Sequence, residues 1–248
     1  MPVSFRLAAA IAILTSTCWG RDAHAFQSTP LKVDHIRAAI AHINSRAVYK
    51  NATGASSLSL SGIVSTASET SAISPGSIVT VTGNFPVASA VMSQHSPLPT
   101  TLEGLTLNFS GRAAPLLYVS SGALIAQVPW ELSGQTNASV TVSSGTQTSA
   151  AMSVNLASFA PGIFTVNGQG TGQGVIVDQD ERLADSNAPA VVGMGVVRIF
   201  ATGLGSVTSQ PATGAAAPAN PVSVTTTNPV VMIGGVAATL LACELAEG

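Results

Sequence analysis

Apolar and polar residues alternate with a period of two along most of the chain from Ile78 onward. Successive side chains of a β-strand point to opposite faces, so this alternation predicts strands that bury one face. Gly, Pro and Ser separate the runs and no helical periodicity lies between them, which predicts an all-β sandwich or barrel. The clearest runs are Ile78–Thr82, Leu105–Phe109, Ser139–Ser143 and Met152–Leu156.

A helical period occurs in one earlier segment. The spacing of its apolar residues predicts a short amphipathic helix over Thr29–Ile43, with Thr29 as the cap and Pro30 in the first turn. Basic residues around this helix also suit a membrane surface, but docking on its own domain is the simpler interpretation. The segment Asn51–Ser74 that follows is rich in Ser and Ala and has little to bury, which predicts a linker or a poorly ordered strand pair.

Two pieces of sequence occur twice. Gly111–Leu117 recurs as Gly235–Leu241, 124 positions later, and Ile78–Val81 resembles Val196–Ile199, 118 positions later. Each copy reads as a strand, a turn-rich loop, a strand, a glycine turn and a further strand. The repeat therefore predicts two similar sandwiches in tandem.

The second copy is shorter than the first. After Leu117 the first copy continues through further strand-like runs to Leu156, whereas seven residues follow Leu241. A sandwich without its last strands has unpaired backbone groups along an edge and uncovered core side chains. We therefore expect the second sandwich to be incomplete, and either prone to aggregation or in need of a partner strand.

The N-terminus carries the pattern of a secretory signal peptide. Arg6 precedes the apolar run Leu7–Leu14, and Ala23-His24-Ala25 provides small residues for a cleavage site after Ala25. The run is too short to span a bilayer, which takes about 20 apolar residues. We therefore expect residues 1–25 to be removed and the protein to be secreted, periplasmic or on the cell surface.

Export also determines the cysteine inventory. Cleavage after Ala25 removes Cys18 and leaves Cys243 alone, so the mature chain forms no internal disulfide. Lipidation of Cys18 is a weaker alternative, because Thr15–Thr17 lacks the residues that usually precede a lipidated cysteine. The stability of the mature chain is therefore expected to come from packing.

Only 8% of the residues are charged, against about 25% in an ordinary soluble domain. Between Asn51 and Val177 the charged residues are Glu69, Glu103, Arg112 and Glu131. The outward strand faces are therefore expected to be neutral and rich in hydroxyl groups, which solvate a sheet but protect poorly against edge pairing. The net charge of −2 gives no electrostatic footprint for nucleic acid, and no run in the mature chain is long enough for a transmembrane span.

No set of residues converges on catalysis. The mature chain lacks a Gly-x-Ser-x-Gly elbow, and its histidines are His35, His42 and His95. His35 and His42 could share a helix face, but two ligands do not make a zinc site, so we interpret them as surface residues. The glycine-rich segment Gly168–Gly174 lacks the register, the helix and the lysine of a phosphate-binding loop and is interpreted as a hairpin or inter-domain loop. The sequence thus predicts no catalytic residue and no cofactor.

Two features carry weaker binding hypotheses. Asp178, Asp180 and Asp185 belong to an acidic cluster that offers oxygen ligands for calcium, although a solvated hairpin turn is the simpler interpretation. Trp130 follows a proline at a strand end and could stack on a sugar ring. Since aromatics make up 4% of the chain and offer no second platform, packing in the core or between domains is the simpler role for this ring.

Six short motifs occur in a characteristic order: Leu98–Leu102, Ala113–Ser120, Ala126–Leu132, Ala160–Phe164, Gly170–Gly174 and Ala201–Gly205. Together they resemble the uncharacterised C-terminal domain family of secreted acidobacterial proteins, the Solibacter C-terminal family, over roughly residues 73–245. That family is similar to tandem immunoglobulin-like modules of the IPT/TIG kind, so the resemblance implies this fold and export. It implies no activity and supplies no catalytic residues.

The chain departs from that family at its end. Members usually continue past the second Leu-Leu with a Leu-Ala-Pro-Gly turn and a strand ending in Gln-Val-Asn-Val-x-Val-Pro, whereas this sequence reads Leu245-Ala246-Glu247-Gly248. We therefore expect a truncated or frameshifted reading frame. A second departure is that only the short helix and the linker precede the modules.

These features together predict an all-β protein of tandem immunoglobulin-like β-sandwiches, the second incomplete, preceded by a signal peptide and a short amphipathic helix. The expected boundaries are 1–25 for the signal peptide, 26–72 for the helix and linker, 73–157 for the first sandwich and 158–248 for the second. The leading functional hypothesis is an exported, non-enzymatic binding or spacer protein that meets a protein or polysaccharide at the cell surface. The alternatives are a carbohydrate-binding or accessory module of an extracellular hydrolase, or a fragment of a larger secreted protein.

Overall fold

The computed structural model describes residues 10–15, 57–191 and 195–246, and for residues 10–15 it describes the backbone alone. The predicted all-β class is confirmed: these ranges form antiparallel strands with one short 3-10 helix, Trp130–Leu132. The predicted helix over 29–43 lies outside the described residues. None of the described segments forms a helix long and apolar enough to cross a membrane.

In chain order the strands are β1 (Ala10–Thr15), β2 (Ser59–Ser65), β3 (Ile78–Asn84), β4 (Val91–Met92), β5 (Leu105–Phe109), β6 (Arg112–Ala114), β7 (Leu116–Val119), β8 (Ala123–Gln127), β9 (Asn137–Ser144), β10 (Gln147–Thr148), β11 (Met152–Asn155), β12 (Gly162–Ile163), β13 (Ile176–Val177), β14 (Val196–Thr202), β15 (Met232–Ile233), β16 (Val236–Ala237) and β17 (Thr239–Leu245).

The first module is a sandwich of two sheets. One sheet has the strand order β2-β3-β8-β7-β4, and the other has the order β10-β9-β5-β6 with β11 also paired to β9. The predicted alternation decides which face is buried, since Leu105, Leu107 and Phe109 of β5 are fully buried while Thr106 and Asn108 are only partly so. The core of the module lies between the two sheets.

Strand β8 is the centre of the first sheet and is buried along its whole length. It pairs with β3 on one side and with β7 on the other. Leu124 and Ala126 pack into the core of the sandwich, whereas Ile125 belongs to a cluster that includes residues of the second module. Because both faces of the strand are covered, its sequence is apolar at successive positions instead of alternating.

The first sheet begins earlier in the chain than the sequence predicted. Ser59–Ser65, expected to be part of a linker or of a poorly ordered strand pair, forms β2 and pairs with β3. Leu58 and Ile63 reach the core. An edge strand needs few apolar residues to fill its buried face, so its Ser-rich composition resembles that of a linker.

The second module has one larger sheet and one hairpin. The sheet has the strand order β12-β14-β1-β17 with β13 also paired to β14, and the hairpin consists of β15 and β16. The offsets of the sequence repeat relate strands of the two modules. They make β14 the counterpart of β3, β17 the counterpart of β7, and the β15–β16 hairpin the counterpart of β5 and β6. Among the described residues, no strand pairs with β15 as β9 pairs with β5.

Positions related by the repeat differ sharply in burial. Phe109 is fully buried in the core on a strand paired with β9, whereas Ile233, 124 positions later, is 53% exposed. Leu117 is 3% exposed because the second module packs against it, whereas Leu241 at the related position is 55% exposed. Residues at these related positions are therefore exposed to solvent in the second module and buried in the first.

The two related leucines provide a matched test of this difference. We expect Leu117→Ala to lower the free energy of unfolding by about 2–5 kcal/mol, since a buried leucine leaves a cavity. Leu241→Ala is expected to change it by less than about 1 kcal/mol, because most of that side chain already contacts water. Urea denaturation of both variants measures the two effects, and equal losses would contradict the difference in burial.

Candidate binding surface

The two modules share a packed junction. Leu117, Tyr118 and Ile125 of the first module form one buried cluster with Phe164 and Phe200 of the second. This cluster covers the outer face of the first sheet, so that sheet is buried on both sides. The junction therefore holds the second module in a fixed position on the first.

Two hydrogen bonds fix the register of the junction. The backbone N–H of Ile78 donates to Oγ1 of Thr202 at 3.0 Å, and the N–H of Gly214 donates to Oε1 of Gln127 at 2.7 Å. Both hydrogen bonds are buried, and each joins residues that are far apart in the sequence. Each bond satisfies a backbone donor that burial would otherwise leave without an acceptor.

Trp130 lies in this junction and is 4% exposed. Its ring lies against Gly76, where an added Cβ would come within 2.1 Å of the ring atoms, and it packs with Val207 and Leu245 of the second module. Its backbone N–H donates to Oγ1 of Thr213 at 3.1 Å. A ring enclosed in this way packs the two modules together and presents no open face to a sugar.

The acidic loop is organised by its own hydrogen bonds. Oδ1 of Asp178 accepts from the N–H groups of Asp180 and Arg182, both at 2.9 Å, and the Arg182 guanidinium bonds Asp178 and Asp180. Burial acts to raise the pKa of the Asp178 carboxyl, but these hydrogen bonds and the guanidinium charge outweigh it and lower the pKa. Oδ1 of Asp185 accepts from the N–H groups of Asn187 and Ala188.

The carboxylates suggested for calcium are therefore engaged in turns. Glu181 of the same loop forms an ion pair with Arg198 on β14, whose side chain is 5% exposed. Within residues 57–191 and 195–246, no three or more His, Cys, Asp or Glu side chains are grouped as metal ligands. The loop thus has the hydrogen bonding of a tight turn, and the ion pair of Glu181 with Arg198 ties it to β14.

The glycine-rich segment closes as a hairpin loop. Gly168, Gly170 and Gly172 have positive φ angles, which glycine adopts at low cost. The N–H groups of Gln169 and Gly170 donate to Oγ1 of Thr165 at 3.1 Å, so these donors are used within the loop. His95 is the one histidine among the described residues and lies exposed, while His35 and His42 lie outside them.

An apolar groove runs along the second module. It has a volume of about 440 Å³ and lies between β12, β14 and the segment that leads into β15. Its lining includes Phe159, Ile163, Leu204, Val230 and Met232. Of these, Phe159, Ile163, Val230 and Met232 are 44–83% exposed. We define this surface, together with the exposed hairpin residues Ile233 and Val236, as the apolar surface.

The apolar surface was only partly predictable. The repeat led us to expect uncovered core side chains in the second copy. The segment Val230–Ile233 contains no polar residue, so its sequence does not indicate that it faces solvent. The contribution of Phe159 and Ile163 had no sequence signal, because they follow the first module and join the groove through the pairing of β12 with β14.

The fold and one comparison define the class of the first module. Residues 63–159 match the IPT/TIG domain family, whose members are immunoglobulin-like sandwiches without catalytic function. The first module is therefore an immunoglobulin-like module of the IPT/TIG kind. No curated protein matches the chain. The narrower resemblance to the Solibacter C-terminal family stays a prediction.

Loss of the hydroxyl at Thr202 tests the junction. Thr202→Val preserves the shape of the side chain but leaves the buried N–H of Ile78 without its acceptor, so we expect a loss of about 1–3 kcal/mol in unfolding free energy. Thr226→Val is the matched control, since the Thr226 hydroxyl donates to the carbonyl of Ser206 at an exposed site. Denaturant titration compares the two, and a larger loss for the control would contradict the assignment.

Cys243 reports on the integrity of the second module. Burial raises the pKa of its thiol, the charge of Glu244 acts in the same direction, and a hydrogen bond with Thr225 opposes them. Less thiolate is therefore present at a given pH than for a free cysteine, and access is restricted. In a Cys18→Ser background, we expect a disulfide reagent to react with Cys243 at pH 8 at least about tenfold more slowly than in denaturant.

A chain that also carries Thr148→Cys on the exposed strand β10 controls for the reagent, and that thiol is expected to react at once. Equal rates for Cys243 in the native and the denatured chain would show that the thiol is not protected by the fold.

Proposed function

We propose that the protein is an exported, non-enzymatic binding or spacer protein that acts outside the cytoplasm through its second module. The proposal joins the predicted signal peptide with an immunoglobulin-like fold of a kind used in surface or extracellular binding and accessory roles. The neutral, hydroxyl-rich strands of the first module suit a support that makes few charged contacts of its own.

The distribution of exposed apolar side chains carries this proposal. Ten large apolar side chains lie exposed among the described residues, and all of them lie at or after Phe159, the last residue of the family match to the first module. They are Phe159, Ile163, Val191, Val222, Val224, Val230, Met232, Ile233, Val236 and Leu241. Four of them, Phe159, Ile163, Val230 and Met232, line one groove, and such an exposed apolar patch on a folded protein is typical of an interaction surface. The first module, by contrast, keeps its large apolar side chains buried or half-buried in the core and at the junction.

The junction supports different roles for the two modules. Hydrogen bonds from Ile78 to Thr202 and from Gly214 to Gln127 tie the second module to the first. A binding surface held on a rigid support loses little conformational freedom when a partner binds. The first module then acts as the support and the second presents the apolar surface.

Export and site-specific cross-linking test the proposal together. In a bacterial host we expect the protein outside the cytoplasm with Phe26 as its first residue, and Ala25→Asp is expected to block that processing. A photoreactive amino acid at Met232 is expected to cross-link the exported protein to a partner at the cell surface, because this residue is 55% exposed on the apolar surface.

The same photoreactive residue at Thr148, exposed on the first module, is the matched control and is expected to give no adduct. Retention in the cytoplasm with an intact N-terminus would overturn export. An exported protein that gives no adduct at Met232, or equal adducts at both positions, would overturn the assignment of the binding surface.

A further inference from the structure

Strand β1 of the second module occupies the position that β8 occupies in the first. In the first module β8 lies between β3 and β7. In the second module β1 lies between β14 and β17, which are the repeat counterparts of β3 and β7. Both inserted strands are antiparallel to both of their neighbours. The second module therefore completes its sheet with a strand from the N-terminal region of the chain.

The pairing on one side fixes the residue correspondence. Thr80 of β3 pairs with Ile125, and its repeat counterpart Arg198 pairs with Ile13. The same correspondence holds at each paired position, so the segment Ile11–Thr15 of β1 is the counterpart of Ala123–Gln127 of β8. Ile13 is thus the counterpart of Ile125.

The pairing on the other side gives the same correspondence independently. Tyr118 of β7 pairs with Ile125, and Ala242 of β17, 124 positions later, pairs with Ile13. The irregularity in each ladder also coincides, since the register skips Leu117 in the first module and Leu241 in the second. Two neighbouring strands and one bulge therefore define a single strand position with one register.

From this correspondence we propose that the gap between β14 and β17 is a strand-acceptor site for a five-residue extended segment of uncharged, mainly aliphatic residues. An empty gap would leave backbone N–H and C=O groups of both strands unpaired, which favours the addition of a strand. Two different segments of this chain, Ile-Ala-Ile-Leu-Thr and Ala-Leu-Ile-Ala-Gln, occupy the two related positions. Neither segment contains a charged residue.

The surroundings of the site account for this composition. Ile199 of β14 and Cys243 of β17 belong to the buried cluster on one side of the sheet. Phe200 of β14 belongs to the junction cluster on the other side. Buried side chains of the neighbouring strands thus lie on both faces of this sheet, where a charged side chain would lose its hydration.

The occupant after export is a strand of the same chemistry supplied by a partner. This step rests on the proposed function, because cleavage after Ala25 would remove β1 together with the signal peptide. The site would then be open beside the apolar surface, and an extended, uncharged aliphatic segment of a cell-surface partner would pair with β14 and β17. The acceptor site itself does not depend on export.

Hydrogen–deuterium exchange on the full-length chain tests the site. Ile13→Pro removes a backbone N–H from the middle of β1 and is expected to raise amide exchange in β14 and β17 at least about tenfold. Ile13→Val keeps the N–H and the β-branched shape and is expected to leave exchange unchanged. The amides of β3 and β8 serve as an internal control and are expected to stay protected in both variants.

Added peptides then separate strand acceptance from simple loss of structure. Peptides with the sequences of residues 9–16 and 122–128 are each expected to restore protection of β14 and β17 in the Ile13→Pro chain. The second peptide with Leu124→Lys and Ile125→Lys is expected to give no protection. The proposal is overturned if Ile13→Pro leaves β14 and β17 protected, or if neither unmodified peptide restores their protection.

These outcomes are independent of export. A protein that stays in the cytoplasm but whose purified chain accepts the peptides would overturn the proposed function and keep the acceptor site. If the protein is exported but neither peptide restores protection in the Ile13→Pro chain, the acceptor site is overturned and the proposed function is not.

Discussion

A central strand paired on both sides is the constraint on which each module depends. Such a strand supplies backbone donors and acceptors to two neighbours, and water cannot replace it once both faces of the sheet are covered. In the first module β8 meets this requirement from the same stretch of sequence as its neighbours. In the second module the same position is filled by β1, which lies far upstream in the chain. The sheets are alike, although the origins of their central strands differ.

The scarcity of charge shapes the surface of the first module. Neutral hydroxyl groups pair where many proteins place ions, as between Thr101 and Thr106 at 2.9 Å. In the second module an ion pair joins Glu181 to Arg198 on β14, where the guanidinium is largely withdrawn from solvent. A neutral surface opposes the approach of another strand only weakly, so the edges of the first module depend little on charge for protection.

The sequence features singled out for chemistry have structural roles where the structure describes them. Trp130 and Asp178 each satisfy local packing or hydrogen bonding, and the glycine-rich loop closes on Thr165. Trp130 shows why the sequence left its role open: its backbone partner Thr213 lies 83 residues away. The local sequence, a tryptophan after a proline, is the same whether the ring faces solvent or packs against a second module. The groove residues Phe159 and Ile163 were likewise hidden, because their contacts form only when β12 pairs with β14.

The period of two by itself determined the all-β class and the buried positions of β5, because alternation on a strand assigns each side chain to a face. The repeat also led us to expect uncovered apolar residues in the second copy. Tertiary structure decided that Ser59–Ser65 is a strand, that the junction encloses Trp130, and that Ala10–Thr15 completes the second sheet. These outcomes depend on pairing between distant segments, and strand pairing is set by backbone hydrogen bonds that every residue except proline offers alike. Local alternation can therefore identify a strand such as β5, but it cannot identify the segment with which that strand pairs.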